Sequence, residues 1–284
     1  MLEVNLSCFQ FNKIIVIESL DGGDRKTGLQ LFDDLEFVKV RNSSKLETEF
    51  KSVSNKSDFL FCIDELITSV ELKGVYPVLH IDAHGNKGGV NFSEDGHIEW
   101  YELLEKLSKL NILMRGNLLV VLASCYGARI IHHISTVSRA PFWGVIAPHE
   151  KTYSENVYTG LNNFYNAICS GSTSSEIISA LNASRSCSDL KLFTAELLFV
   201  KATQLAVSEF QDRASLMQRI KSMPHNLRGH GGGVEKSKSQ LKTDFISAQK
   251  KKFEEDLEGF LMVDLFPENV NKISKVHNPW SLLK

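Results

Sequence analysis

The chain has 284 residues, 43% of them apolar and 23% charged, the balance of a folded globular protein built as one large domain or one domain with an extension. A formal net charge of −2 argues against a nucleic-acid or membrane-surface partner held by global charge. The N-terminal stretch carries Glu3 ahead of any apolar run, and Ile14 to Ile17 is too short for a signal peptide. No uncharged run approaches the roughly 20 residues of a membrane span. Five cysteines (Cys8, Cys62, Cys125, Cys169 and Cys187) are odd in number, widely spread and free of CxxC spacing. That pattern fits a reducing, cytoplasmic setting in which each is by default a small buried hydrophobe.

Taken in chain order, "KIIVIES" (13–19) reads as a buried strand followed by the turn-rich "LDGGDRKTG". "LQLFDDL" reads as helix and "EFVKV" (36–40) as a second short strand. "SDFLFCIDELITSV" (57–70) is helical by the spacing of Leu60, Ile63, Ile67 and Val70. "YPVLHIDAHG" is a third strand ending in glycine. "IEWYELLEKLSKLNI" is an amphipathic helix with Trp100, Leu103, Leu104, Leu107 and Leu110 on one stripe. "NLLVVLAS" and "PFWGVIAP" are a fourth and a fifth strand, and "SEIISALNAS" is a helix that Ser174 and Ser175 could cap. Strands alternating with helices, the central ones apolar on both faces, imply an α/β fold with a parallel sheet covered on both sides.

The pattern changes near residue 189. Residues 1–188 are expected to form the α/β domain and residues 189–284 a helical extension, interrupted by a Gly-, Lys- and Ser-rich flexible loop at about 224–240. Its large apolar residues need a surface to cover, and "NPWSLLK" leaves Trp280 as an exposed candidate for docking a partner.

Chemistry concentrates at two strand ends. In a parallel sheet, ligands bind beyond the carboxyl ends of the strands. "PVLHIDAHG" delivers His84 and Gly85 there, and "LLVVLASCYG" delivers Cys125, 41 residues later and one helix away. A neighbouring imidazole and thiol are what thiol nucleophilic catalysis requires: the imidazole stabilises the thiolate and later protonates the leaving amine. Glycine after the histidine permits close approach of a substrate, and the amides of Gly85 and Cys125 could form an oxyanion hole.

An H-G pair ending one strand and S-C-x-G ending the next resemble the caspase-like cysteine peptidases, a group that includes caspases, metacaspases, separase, gingipains and bacterial CHAT domains. The stretch "IIVIESLDGGDRKTGLQLFDDLEFVKV" is similar to the family's opening strand, loop, helix and second strand. "FWGVIAPHEKTYSENVYTGLNNFYNAICSGSTSSEIISALNAS" is similar to the CHAT pattern after the nucleophile. The resemblance spans roughly residues 11–185. It implies a caspase-like three-layer sandwich and a cysteine endopeptidase with His84 as general base or acid, Cys125 as nucleophile, and Gly85 and Cys125 as oxyanion donors. It also implies a protein substrate, no cofactor, and a role as a regulated effector such as those of antiviral defence, under a sensor partner on another chain.

The chain departs from the family at Ala123, where caspases hold a glutamine and metacaspases an aspartate that helps read the substrate's P1 side chain. The opening loop offers Asp21, Asp24 and Arg25 to that pocket, with opposite charge preferences. Asp82, next but one to His84, is a supporting residue that orients His84 or a neighbouring loop, or is simply buried with a backbone partner. Because His80, Asp82 and His84 alternate along one strand, they also admit a metallohydrolase reading with a fourth ligand from elsewhere. Binuclear enzymes of that type would need a further D-x-D run, which is missing here. A catalytically inactive scaffold of the same fold is the remaining alternative. The polar stretches 86–96 and 149–160 read as mobile loops beside the site.

Overall fold

The structure, a computed structural model, describes residues 9–42, 46–181, 190–209, 218, 237–273 and 278–282. Its centre is a sheet in which β1 (Lys13–Ser19), β2 (Glu47–Ser52), β3 (Pro77–Gly85), β6 (Leu119–Ala123), β7 (Gly144–Pro148) and β8 (Leu190–Thr194) stand in the order β2-β1-β3-β6-β7-β8. The first five are parallel and β8 runs antiparallel to β7. A short ribbon of β4 (Gly89–Asn91) and β5 (His97–Glu99) extends from the end of β3.

Both faces of the sheet are covered. One face carries Ile15, Ile17, Leu79, Ile81, Val120 and Leu122 under α2 (Lys56–Lys73) and α3 (Trp100–Leu113). The other carries Ile14, Val16, Val78, Leu119 and Val121 under α1 (Thr27–Asn42), α4 (Ser154–Cys169) and α5 (Ser174–Leu181). Residues on alternate faces of one strand are thus all buried, which is why the central strands read as unbroken apolar runs. This is the three-layer α/β arrangement expected from the sequence.

Two elements differ from expectation. "EFVKV" is the last part of α1, not a strand. Leu31, Leu35 and Val38 continue one buried helical stripe, while Phe37 and Val40 face outward at 71% and 81% exposure. The second strand is instead "ETEFKS", whose charged Glu47, Glu49 and Lys51 suit a sheet edge. Residues 190–194, read as the start of a helix, form β8, so the sheet runs past residue 188.

After β8 come α6 (Ala195–Glu209) and α7 (Lys238–Phe260). Phe199, Val200, Phe245, Phe253, Leu257 and Phe260 bury one another in a third cluster that reaches Ala140. Bonds from the Ala140 amide to the Phe260 carbonyl (2.9 Å) and from Arg139 to Asp264 (2.6 Å) tie this cluster to the α/β body. Trp280 is not exposed: it is 6% accessible and lies edge-on to Phe245, so it closes this cluster. The loop expected at 224–240 lies outside the described residues as far as 236; Ser237 caps α7 through a reciprocal bond pair with Gln240.

Candidate active site

β3 and β6 are neighbours, with Asp82 opposite Ala123. His84 and Cys125 therefore each lie two residues beyond a paired position, at one carboxyl edge of the sheet. The chain at Gly85 is pressed onto the turn that follows β6. A Cβ there would come 2.1 Å from Ser124 Oγ and 2.4 Å from the Cys125 carbonyl oxygen. Only a residue without Cβ allows His84 and Cys125 to be carried on backbones this close.

Cys125 heads a tight turn. The Gly127 amide donates to the Ser124 carbonyl (2.9 Å), the Tyr126 amide to the Glu150 carbonyl (3.3 Å), and Tyr126 takes a left-handed conformation at φ 61°. A left-handed non-glycine residue costs of order 1 kcal/mol. Gly127 fits against Leu122 and Ala147, where a Cβ would meet theirs at 3.1 and 3.2 Å. The Cys125 thiol is partly buried, 3.8 Å from the Thr152 carbonyl oxygen.

His84 projects at the rim with its side chain 53% exposed, and its Nε2 donates to Asp24 Oδ2 at 2.8 Å. Asp24 lies in the loop after β1 and is fixed by that loop: the Asp21 amide donates to the same Oδ2 (2.9 Å), and the Asp24 amide donates to the Asp21 carbonyl (3.0 Å). The bond from His84, then that from Asp21, holds the Asp24 carboxyl below its ordinary range. No hydrogen bond joins His84 to Cys125 among the described residues. Each side chain has a different partner.

The remaining candidates separate. Asp82, of the readings open to it, is buried toward α1: it is 4% exposed and accepts from the Thr27 hydroxyl at 2.6 Å. Burial pushes its carboxyl up to about 7, against the hydrogen bond from Thr27, and neighbouring Glu18 adds to the rise. The residue at His84 is Asp24, which the sequence had offered to the substrate pocket. Arg25 turns away to an ion pair with Glu155, a 2.7 Å bond to Gln30, and the face of Tyr158 at 4.9 Å. Ala123 ends β6 on the α1 and α4 side of the sheet.

His80, Asp82 and His84 do not assemble into a ligand set. His80 is fully buried, Nδ1 3.1 Å from the Tyr165 hydroxyl, and desolvation drives its pKa down to about 3. Among the described residues, the three metal-capable side chains whose ligand atoms come within 4.8 Å of one another are Asp21, Asp24 and His84. The metallohydrolase reading of the β3 residues is corrected on that ground. Of the polar stretches around the site, 86–96 contains β4 and 149–160 contains the first turns of α4.

The chain is similar to a solved caspase. The crystal structure of the Drosophila initiator caspase Dronc shares 12% sequence identity, with 65% of this chain and 80% of that one covered at a TM-score of 0.48. No protein-family model and no curated protein matches the sequence. No helix among the described residues is long and apolar enough to cross a membrane.

Proposed function

We propose that the chain is a caspase-like cysteine endopeptidase in which His84 and Cys125 form the catalytic dyad. The observation that carries this reading is the contact between the two strand ends, where Gly85 packs on the Cys125 carbonyl. Catalysis would start with transfer of the Cys125 proton to His84. The thiolate attacks the peptide carbonyl, the imidazolium protonates the leaving amine, and water completes hydrolysis of the thioester. Among the described residues the Cys125 amide makes no backbone hydrogen bond, which leaves it available as one oxyanion donor, with Gly85 beside it as the other.

The substrate is a protein, and the enzyme is cytoplasmic and held at low activity until a regulatory partner acts. In support of that control, the thiol faces the Thr152 carbonyl and the imidazole faces Asp24, so the dyad is not closed at rest. An effector role in antiviral defence rests on the sequence resemblance. The test is incubation with proteins encoded nearby, comparing wild type with Cys125→Ala. Cleavage that requires Cys125 and rises when the partner is added is expected. Cleavage by the alanine variant at the wild-type rate sinks the reading, and full turnover without a partner removes the regulatory part of it.

A further inference from the structure

An imidazole at the exposed end of a strand turns freely unless something holds it. At His84 something does. Asp24 Oδ2 lies 2.8 Å from Nε2, and Asp24 is itself fixed by the amide of Asp21 and by its own amide bond back to the Asp21 carbonyl. The loop that carries it is pinned at its far end. Lys26 Nζ donates to the Leu20 carbonyl, Thr27 is anchored on buried Asp82, and Arg25 is clamped between Glu155, Gln30 and Tyr158. Three consecutive residues thus tie the loop to β3, α4 and its own start, with Asp24 next to them.

We propose that Asp24 is the positioning residue of this site, completing an Asp24–His84–Cys125 triad; the inference rests on the dyad proposed above. A carboxylate only accepts hydrogen bonds, so Nε2 must carry the hydrogen and Nδ1 the lone pair. Nδ1 is then the nitrogen that takes the proton from Cys125: the S–H bond breaks, an N–H bond forms, and the imidazolium so created is held against Asp24, which stays ionised. For that transfer the thiol must leave the Thr152 carbonyl and reach His84. The other charged groups near the imidazole are Asp21 on the same loop and Asp82 behind it on β3, with Lys26 acting on both Asp24 and Asp82. Among the described residues Asp24 alone hydrogen-bonds the ring.

The experiment needs no substrate. Cys125 in the full chain is alkylated with iodoacetamide and, separately, with iodoacetate, and labelling at that residue is followed by mass spectrometry across a pH series. The anionic reagent reads the positive imidazolium beside the thiolate, and the neutral one reads the thiolate itself. The variants are Asp24→Asn, Asp24→Glu, His84→Ala and, as a control on the exposed face of α1, Asp33→Asn. Asp24→Asn is expected to lose about tenfold of the preference for iodoacetate near neutral pH, because the neighbouring negative charge that favours the imidazolium is gone. Asp24→Glu keeps the charge and should retain most of the wild-type profile, and Asp33→Asn all of it.

If His84→Ala slows alkylation but Asp24→Asn behaves as wild type, the positioning role is overturned and the dyad stands. If His84→Ala changes nothing, the dyad itself fails and the inference with it. A fall in melting temperature for Asp24→Asn with an unmoved pH profile assigns Asp24 to loop structure alone and also overturns the proposal.

Discussion

Gly85→Ala is the sharpest perturbation of the site because the structure fixes its cost. The new methyl would meet Ser124 Oγ at 2.1 Å and the Cys125 carbonyl at 2.4 Å, whereas Cβ contacts essentially never fall under 3.0 Å. The serine hydroxyl can rotate away. The carbonyl cannot, since it is backbone, so one chain must retreat by at least about 0.6 Å to reach that floor. Overpacking of this kind costs about 1–3 kcal/mol. For a chain of this size that is a fall in melting temperature of roughly 2–5 °C. The functional loss should be larger, because a misplacement of about 1 Å between reacting groups can cost on the order of a hundredfold in rate.

Two measurements separate these effects. Differential scanning fluorimetry gives the stability change, and iodoacetamide labelling of Cys125 gives the state of the site. The control is Gly22→Ala in the opening loop, where an added Cβ has nothing within 4 Å. A Gly85→Ala protein that melts and labels like wild type would refute the close approach of β3 to the Cys125 turn, and with it the geometric argument for the dyad.

Other consequences follow from buried groups. Asp82 has a carboxyl raised to about 7 in the fold against 3.8 when exposed, so the stability it contributes is present below the lower value and is lost as pH rises through about 7. Buried His80, lowered from 6.5 to about 3, acts with the opposite sign, and its contribution is lost only as pH falls below 6.5. Asp82→Asn should therefore gain stability relative to wild type as pH rises from about 4 to about 7 in urea titrations, with the gap levelling off above that; an unchanged gap between those two values contradicts it. Tyr165→Phe removes the one hydrogen-bond partner that His80 has among the described residues, where its Nε2 has none, and should cost about 1–3 kcal/mol in the same assay with no change in Cys125 labelling. Trp280→Ala should cost about 3 kcal/mol by emptying the space against Phe245, and a loss under about 0.5 kcal/mol would mean that the tail does not close the third cluster.

The sheet was legible because its strands are buried on both sides and spell out unbroken runs such as "KIIVI" and "LLVVLA". "EFVKV" misled through its β-branched residues: the helical stripe of Leu31, Leu35 and Val38 decides its structure, and propensity yields to packing. "LKLFT" was hidden by the helix that follows it without a turn signal. His84 and Cys125 were legible because each closes its strand beside a glycine or a turn. The partner of His84 was not. Asp82 is nearest in sequence on the same face, yet residues two apart along a strand are separated by roughly 7 Å. A loop from the adjacent strand reaches the ring more closely, and β1 pairs with β3 in the sheet. The order of strands, which no motif spells out, is what brings residues 20–26 to His84.

That order also explains why two carboxylates are buried beneath the loop. Glu18 and Asp82 are cross-strand partners on β1 and β3, 3% and 4% exposed. Both accept hydrogen bonds from the first turn of α1: Glu18 from the Leu29 amide at 3.0 Å and Asp82 from the Thr27 hydroxyl, while Gly28 has no Cβ, which would come 3.1 Å from Glu18 Oε1 and 3.2 Å from Asp82 Oδ2. Apolar side chains would fill the same space without the desolvation that raises Asp82. They would not hold the start of the helix by hydrogen bonds, and a helix N-terminus is where carboxyl acceptors are most useful. Fixing Thr27 to Leu29 fixes the end of the loop whose beginning is the end of β1. Asp24 is thereby confined between two anchored points, close enough to His84 that its carboxylate has the imidazole as its neighbour. The desolvation that raises Asp82 is thus spent on anchoring the end of the loop that carries Asp24.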